Sequence, residues 1–135
     1  MNDQIYQERI VALAKAKTGA GKLNDPTKSA RRDNPLCGDR VTIDVRLDGQ
    51  GKITGIAHQV RGCLLCQASA SALAATAIGK DAGGIAGLRL DAERALGLEP
   101  GNACEPFSVF APVAAHKSRQ ECVLLPFEAL KDALS

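Results

Sequence analysis

Residues 64–78 constrain the fold of this chain more than any other segment. They read as one helix closed by Gly79, and Leu64, Leu65, Ala68, Ala70, Ala72, Leu73, Ala74, Ala75, Ala77 and Ile78 leave it hardly any polar face. A helix that is apolar all round has to be surrounded by other elements, so this one is predicted to be central and buried. Its Ala and Ser content lets neighbouring backbones approach closely. Aromatic residues make up 3% of the chain and Trp is absent, so the core has to be assembled from Ala, Leu, Val and Ile. With 135 residues there is material for one domain with one core, spanning 1–135: an N-terminal helix and basic linker over 1–28, then a motif-bearing core over 29–135.

What packs around that helix is legible in part. Ile5, Ile10, Val11, Leu13 and Ala14 recur at helical spacing and predict a helix over 4–16, ended by Gly19 and Gly21. Residues 15–32 carry six basic groups (Lys15, Lys17, Lys22, Lys28, Arg31, Arg32) against Asp25 alone, which reads as a solvated, mobile connection or a docking surface for an acidic partner. Val41, Ile43, Val45 and Leu47 alternate with Arg40, Thr42, Asp44 and Arg46 at the period of a half-buried strand. The turn cluster 48–51 follows, and Ile53, Ile56 and Val60 mark a returning strand with a break expected near Gly55. Residues 29–33 add a short third strand. A short helix is expected at 91–97. The last helix carries Val123, Leu124, Phe127, Leu130, Ala133 and Leu134 on one face. Ser118-x-x-Glu121 has the form of a capping box that would start it near 119. Pro126 would then lie in the interior and break a hydrogen bond, which argues for a start close to Cys122. The fold class is therefore α+β, an antiparallel three-stranded sheet with helices packed on one face.

Charge and hydropathy exclude several roles. A net charge of +2 supplies no field for nucleic acid, and no apolar run reaches the roughly 20 residues of a membrane span. The N-terminus lacks a basic stretch followed by an apolar one, so no secretory signal is read and a cytoplasmic location is expected. There five cysteines are metal ligands, nucleophiles or core residues more often than disulfides.

Three places carry chemistry. In N-P-x-C-G-D, residues 34–39, Gly38 lets the backbone bend so that Cys37 and Asp39 converge, two anionic groups that both ligate metals. Taken alone, this reads first as a buried Cys beside a turn Asp. In G-C-x-x-C-x-A-S, residues 62–69, Cys63 stands at the start of the buried helix, where free N–H groups favour a thiolate. Cys66 follows three residues later, making a pair that suits a redox dithiol or half a zinc site. In R-x-x-C, residues 119–122, Cys122 is read near a helix start with Arg119 as a nearby cation, or else as a small core residue.

Together, in this order and spacing, the three motifs resemble the U-type iron–sulfur scaffold family, which includes IscU, SufU and the N-terminal domain of NifU. The resemblance covers about residues 29–135. It implies a single site at the end of the sheet, formed by Cys37, Asp39, Cys63 and Cys122, that takes zinc or a nascent [2Fe–2S] cluster. It implies a scaffold rather than an enzyme, with a cysteine desulfurase and recipient apo iron–sulfur proteins as partners. The 59 positions between Cys63 and Cys122, Glu121 in place of a histidine, the missing L-P-P-V-K stretch and Arg119 are similar to the SufU branch. The resemblance implies that members of that branch bind zinc and accept persulfide sulfur. Tyr6 is compatible with the family, but its His-x-x-x-Pro-x-Asn segment is absent near 14–20.

Three thiolates and a carboxylate suit tetrahedral zinc, and with an oxygen in place of a fourth sulfur they suit a labile cluster. In the zinc state a partner's cation would displace one cysteine and free it for persulfide. Cys122, supported by Arg119, is the expected sulfur acceptor. Cys66 and Cys104 are read as structural, with an accessory redox role for Cys66 as the lesser reading. The rivals are a thiol redox protein using Cys63 and Cys66, and a structural zinc module that mediates interactions.

Overall fold

The computed structural model describes residues 3–35 and 38–135. Helix α1 (Asp3–Ala16) is followed by strands β1 (Lys28–Asn34), β2 (Asp39–Leu47) and β3 (Ile53–Arg61). Helices α2 (Leu64–Ala77) and α3 (Ala82–Ala95), a 3₁₀ segment (Phe107–Ala115) and helix α4 (Lys117–Leu134) complete the chain. The sheet is three-stranded and antiparallel, as the sequence predicts, and its strands lie in the order β1-β2-β3. Val41, Ile43 and Val45 on the inner face of β2 are at most 1% exposed, while Thr42 and Asp44 between them are half-buried. Helix α4 lies against β1 and β2, and α2 lies against β3, α1 and α4. The apolar helix is central as required: nine residues of α2 are buried, among them Ala68, Ala72, Leu73 and Ala77.

The hairpin turn is fixed by Asp48, whose Oδ1 accepts from the N–H groups of Gln50 at 2.8 Å and Lys52 at 2.9 Å. The expected break in β3 is a register shift. Arg46 pairs with Gly55 but Leu47 pairs with Ile53, so Thr54 is the extra residue. The basic connection is exposed, yet it is attached along its length. The His58 N–H donates to the Gly19 carbonyl at 2.8 Å, and the Gly21 N–H donates to the His58 carbonyl at 2.9 Å. The segment then crosses the outer face of the sheet, where the Leu23 N–H bonds Asp44 Oδ2 at 3.3 Å, and it joins β1 through Thr27 N–H to the Val45 carbonyl. Gly19, at φ +79°, approaches α2 so closely that a Cβ would lie 2.6 Å from that of Ala74.

Two expectations are corrected. Residues 82–95 form one helix where only 91–97 was expected. Gly83, Gly84 and Gly87 weaken the local helix signal, and Asp81 restores the start by accepting from the Gly84 N–H at 2.9 Å. Helix α4 begins at Lys117, close to the capping-box start and not near Cys122, and it runs through Pro126. Proline leaves the carbonyl four residues back without its helical donor and crowds that turn. Outside the helix, the buried Ser69 hydroxyl of α2 donates at 2.5 Å to the carbonyl of Val123, three residues before the proline, and ties this turn of α4 to α2. Burial of Val123, Leu125, Pro126 and Phe127 against the sheet and α2 outweighs the proline penalty.

Candidate metal centre

The antiparallel register places the start of β2 beside the end of β3. Arg40 pairs with Arg61, so Asp39 lies next to Gly62 and the entry to α2. On its other side Asp39 pairs with Asn34 across the β1–β2 turn, which Gly38 closes at φ +74° by donating to the Asn34 carbonyl at 2.8 Å. Asp39 is 4% exposed. Its Oδ1 accepts from the Cys63 N–H at 3.2 Å and its Oδ2 from the Cys63 thiol at 3.5 Å. No Lys or Arg forms an ion pair with it among the described residues. A buried carboxylate held only by neutral donors is costly, and a cation in contact with it would relieve that cost.

Cys63 is the N-cap of α2, as the sequence predicts, and it is partly exposed. Cys122 comes from α4 and is 5% exposed. It is the sixth residue of that helix and not at its start, so the expected gain from a helix N-terminus does not apply to it. Its thiol donates to the Ser118 carbonyl one turn earlier at 3.6 Å. The Ser69–Val123 bond ties the turn that carries it to α2.

The donor atoms of Asp39, Cys63 and Cys122 all lie within 4.8 Å of one another. A tetrahedral ion with sulfur at about 2.3 Å and oxygen at about 2.1 Å needs donors about 3.5–3.8 Å apart. Small side-chain rotations would close that gap, so the donor chemistry and the spacing both fit a thiophilic divalent ion. Cys37 lies outside the described residues.

The remaining sequence candidates fall elsewhere. Cys66 is 0% exposed within the hydrophobic core while Cys63 faces solvent, so the two thiols of the C-x-x-C do not share a surface. Cys104 is exposed in the loop after α3. Arg119 is exposed on the first turn of α4, where it lines a cavity of about 360 Å³ with Ile10, Leu64, Leu65 and Pro112.

Two residues of the quoted motif have roles the sequence reading missed. A Cβ on Gly62 would lie 2.6 Å from Asp39 Oδ1, so glycine makes the space the carboxylate occupies. Ser69 supports α4 behind Cys122. Both sit at fixed offsets from Cys63, but their partners are 23 and 54 positions away, so the local sequence carries no signal for either contact. His58, 6% exposed, donates from Nε2 to the Thr18 carbonyl at 2.7 Å. Burial pushes its pKa down, and the Thr18 carbonyl opposes that shift.

Comparison with known proteins gives the family. Residues 5–118 match the family model of the NifU-like N terminal domain, which takes in α1 as well as the sheet and α2. The chain is 29% identical over 133 residues to the iron–sulfur cluster assembly scaffold protein IscU of Thermotoga maritima, covering 96% of this chain and 92% of that protein. It is 33% identical over 79 residues to the zinc-dependent sulfurtransferase SufU of Bacillus subtilis, covering 58% of this chain and 52% of that protein. Among solved structures, a putative iron–sulfur cluster assembly scaffold protein for the SUF system from Fervidobacterium islandicum superposes with a TM-score of 0.87 at 31% identity, each chain covered in full. Sequence motifs, fold and relatives converge, and the chain belongs to the NifU-like N-terminal domain family.

Proposed function

We propose that this chain is an iron–sulfur cluster assembly scaffold that takes sulfur from a cysteine desulfurase and passes a [2Fe–2S] cluster, its cargo, to recipient apoproteins. The observation that carries this reading is the meeting of two thiols and a buried carboxylate, from three different elements, within 4.8 Å. Cys37, Asp39, Cys63 and Cys122 would hold the ion or cluster. Zinc, when bound there, would keep the thiols deprotonated and masked. The whole of 1–135 acts as one scaffold unit, and its role is to accept and hold rather than to turn over. Among the described residues no helix is long and apolar enough to cross a membrane.

Sulfur acceptance needs a thiolate that attacks the outer sulfur of the donor persulfide. The S–S bond of the donor breaks, a new one forms on the acceptor, and the donor cysteine leaves as a thiolate. Cys122, one turn from Arg119, is the acceptor in our reading. Its burial requires the first turns of α4 to yield when a partner binds. The exposure of Cys63 favours a second reading in which Cys63 takes the sulfur first.

Metal and acid-labile sulfide analysis of protein purified without oxygen tests the scaffold role. Cys63→Ser, Cys122→Ser and Asp39→Ala should each lose stoichiometric metal, and retention of metal by all three would overturn the site. Persulfide mapping by mass spectrometry after incubation with a desulfurase assigns the acceptor. Arg119→Ala should reduce sulfur transfer while leaving metal content unchanged, since arginine is not a ligand.

A further inference from the structure

The outer face of the sheet, opposite the helices, is divided. The half towards the 48–52 turn is covered by the chain's own segment 20–27, through Leu23 at Asp44 and Asn24 at Arg46. The half beside Asp39 and Cys63 is open. There Arg31 of β1, Arg40 of β2 and Arg61 of β3, with Thr42 and Gln59, line a shallow cavity of about 270 Å³. Arg40 stands directly opposite Arg61, and Thr42 stands opposite both Arg31 and Gln59, so all five share one face. Like charges facing each other across a ladder destabilise it, so sheet formation does not account for this arrangement.

The neutralising charge is small. Asp33 accepts from Arg40 Nε at 2.8 Å and lies 4.0 Å from Arg31 Nε. Arg61 forms no ion pair among the described residues. Among the described residues Asp33 is thus the one carboxylate ion-paired with this trio, and the Arg31 side chain is 58% exposed. The cluster is continuous with the candidate centre: a second cavity, of about 380 Å³, is lined by Asp33, Gly38, Asp39, Arg40 and Arg61 among others.

We propose that this arginine face is a docking surface for an acidic patch on the protein that delivers sulfur to the Asp39–Cys63–Cys122 edge. The proposal rests on the scaffold function above. Guanidiniums on three adjacent strands, about 4.8 Å apart per strand, match several carboxylates of a protein surface better than one small anion. Their planar forks bind carboxylates in pairs. Among the described residues no aromatic side chain lines the face to stack a base, and a net charge of +2 gives little attraction for a polyanion.

The test uses the Arg31→Glu/Arg61→Glu double variant and an Arg31→Lys/Arg61→Lys control, both checked for the same metal content as the wild type. Binding to a cysteine desulfurase from the same organism is measured at 50 and 300 mM salt. The Glu variant should bind at least tenfold more weakly at low salt and lose most of the salt dependence, while the Lys control stays within a few-fold of wild type. Wild-type affinity and salt slope in the Glu variant would overturn the surface while leaving the scaffold function intact. If the desulfurase fails to bind even the wild type, the assignment of the sulfur donor is overturned. Arginine-dependent binding of a fluorescent Asp/Glu dodecapeptide would then still uphold the surface as one for acidic protein. Tighter arginine-dependent binding of inorganic phosphate, a single-stranded oligonucleotide or anionic vesicles than of that peptide would overturn the protein assignment.

Discussion

Gly62→Ala isolates the packing on which the centre depends. Gly62 does not have a positive φ, so alanine is compatible with its backbone and the effect is steric. The added Cβ would lie 2.6 Å from Asp39 Oδ1, 2.7 Å from Cγ and 3.0 Å from Cβ. Ordinary contact begins near 3.4 Å, so the carboxylate has to retreat by about 0.8 Å. It cannot simply swing aside, because the short approach includes Cβ and the residue is 4% exposed at the start of β2. Ligand distances tolerate only about ±0.2 Å, and disturbing a ligand's support typically costs about 10–100-fold in metal affinity. Overpacking adds a loss of about 1–3 kcal/mol in stability. The assays are competitive zinc titration with a chromophoric chelator, and urea unfolding of the metal-free protein. The same substitution made in an Asp39→Ala background removes Oδ1 and Cγ, so its stability cost should shrink by more than half. Zinc affinity of Gly62→Ala within threefold of wild type, or an undiminished cost in the Asp39→Ala background, would refute the reasoning.

Three further outcomes are expected. Ser69→Ala removes the hydroxyl that donates to the Val123 carbonyl in a buried setting, and should cost about 1–3 kcal/mol in urea unfolding while weakening zinc binding, because α4 loses support beside Cys122. Cys66→Ser places a hydroxyl in the apolar core and should cost about 1–3 kcal/mol, yet metal stoichiometry by atomic emission should stay near wild type; loss of metal would restore the C-x-x-C reading. The pKa of His58 is lowered by burial, so below its unfolded value of 6.5 the unfolded chain binds a proton that the folded one resists. Stability is therefore unaffected by this group above that value, falls as pH drops below it, and levels off once the folded value is passed. His58→Gln should flatten the slope of unfolding free energy between pH 6.5 and 5; an identical slope in both proteins would contradict the assignment.

What the sequence determined and what tertiary structure decided divide along the range of the interactions involved. Period-two alternation over 41–47, the turn at 48–51 and the all-apolar helix at 64–78 are local, and each is found where the pattern placed it. Cys63 at the N-cap is equally local. Helix α4 starts earlier than expected because the proline penalty is local, whereas the burial that outweighs it is supplied by other elements. The earlier start puts Cys122 in the second turn and not at the start of the helix. Helix α3 was read short because its three glycines weaken the propensity signal that its tertiary packing overrides. The motif spacing named Asp39, Cys63 and Cys122 as candidates, but their convergence depends on the β2–β3 register and on α4 crossing the sheet. The space Gly62 leaves for Asp39 and the arginines assembled from three strands exist only once that register is set, because the residues involved are neighbours in the sheet and distant in the chain.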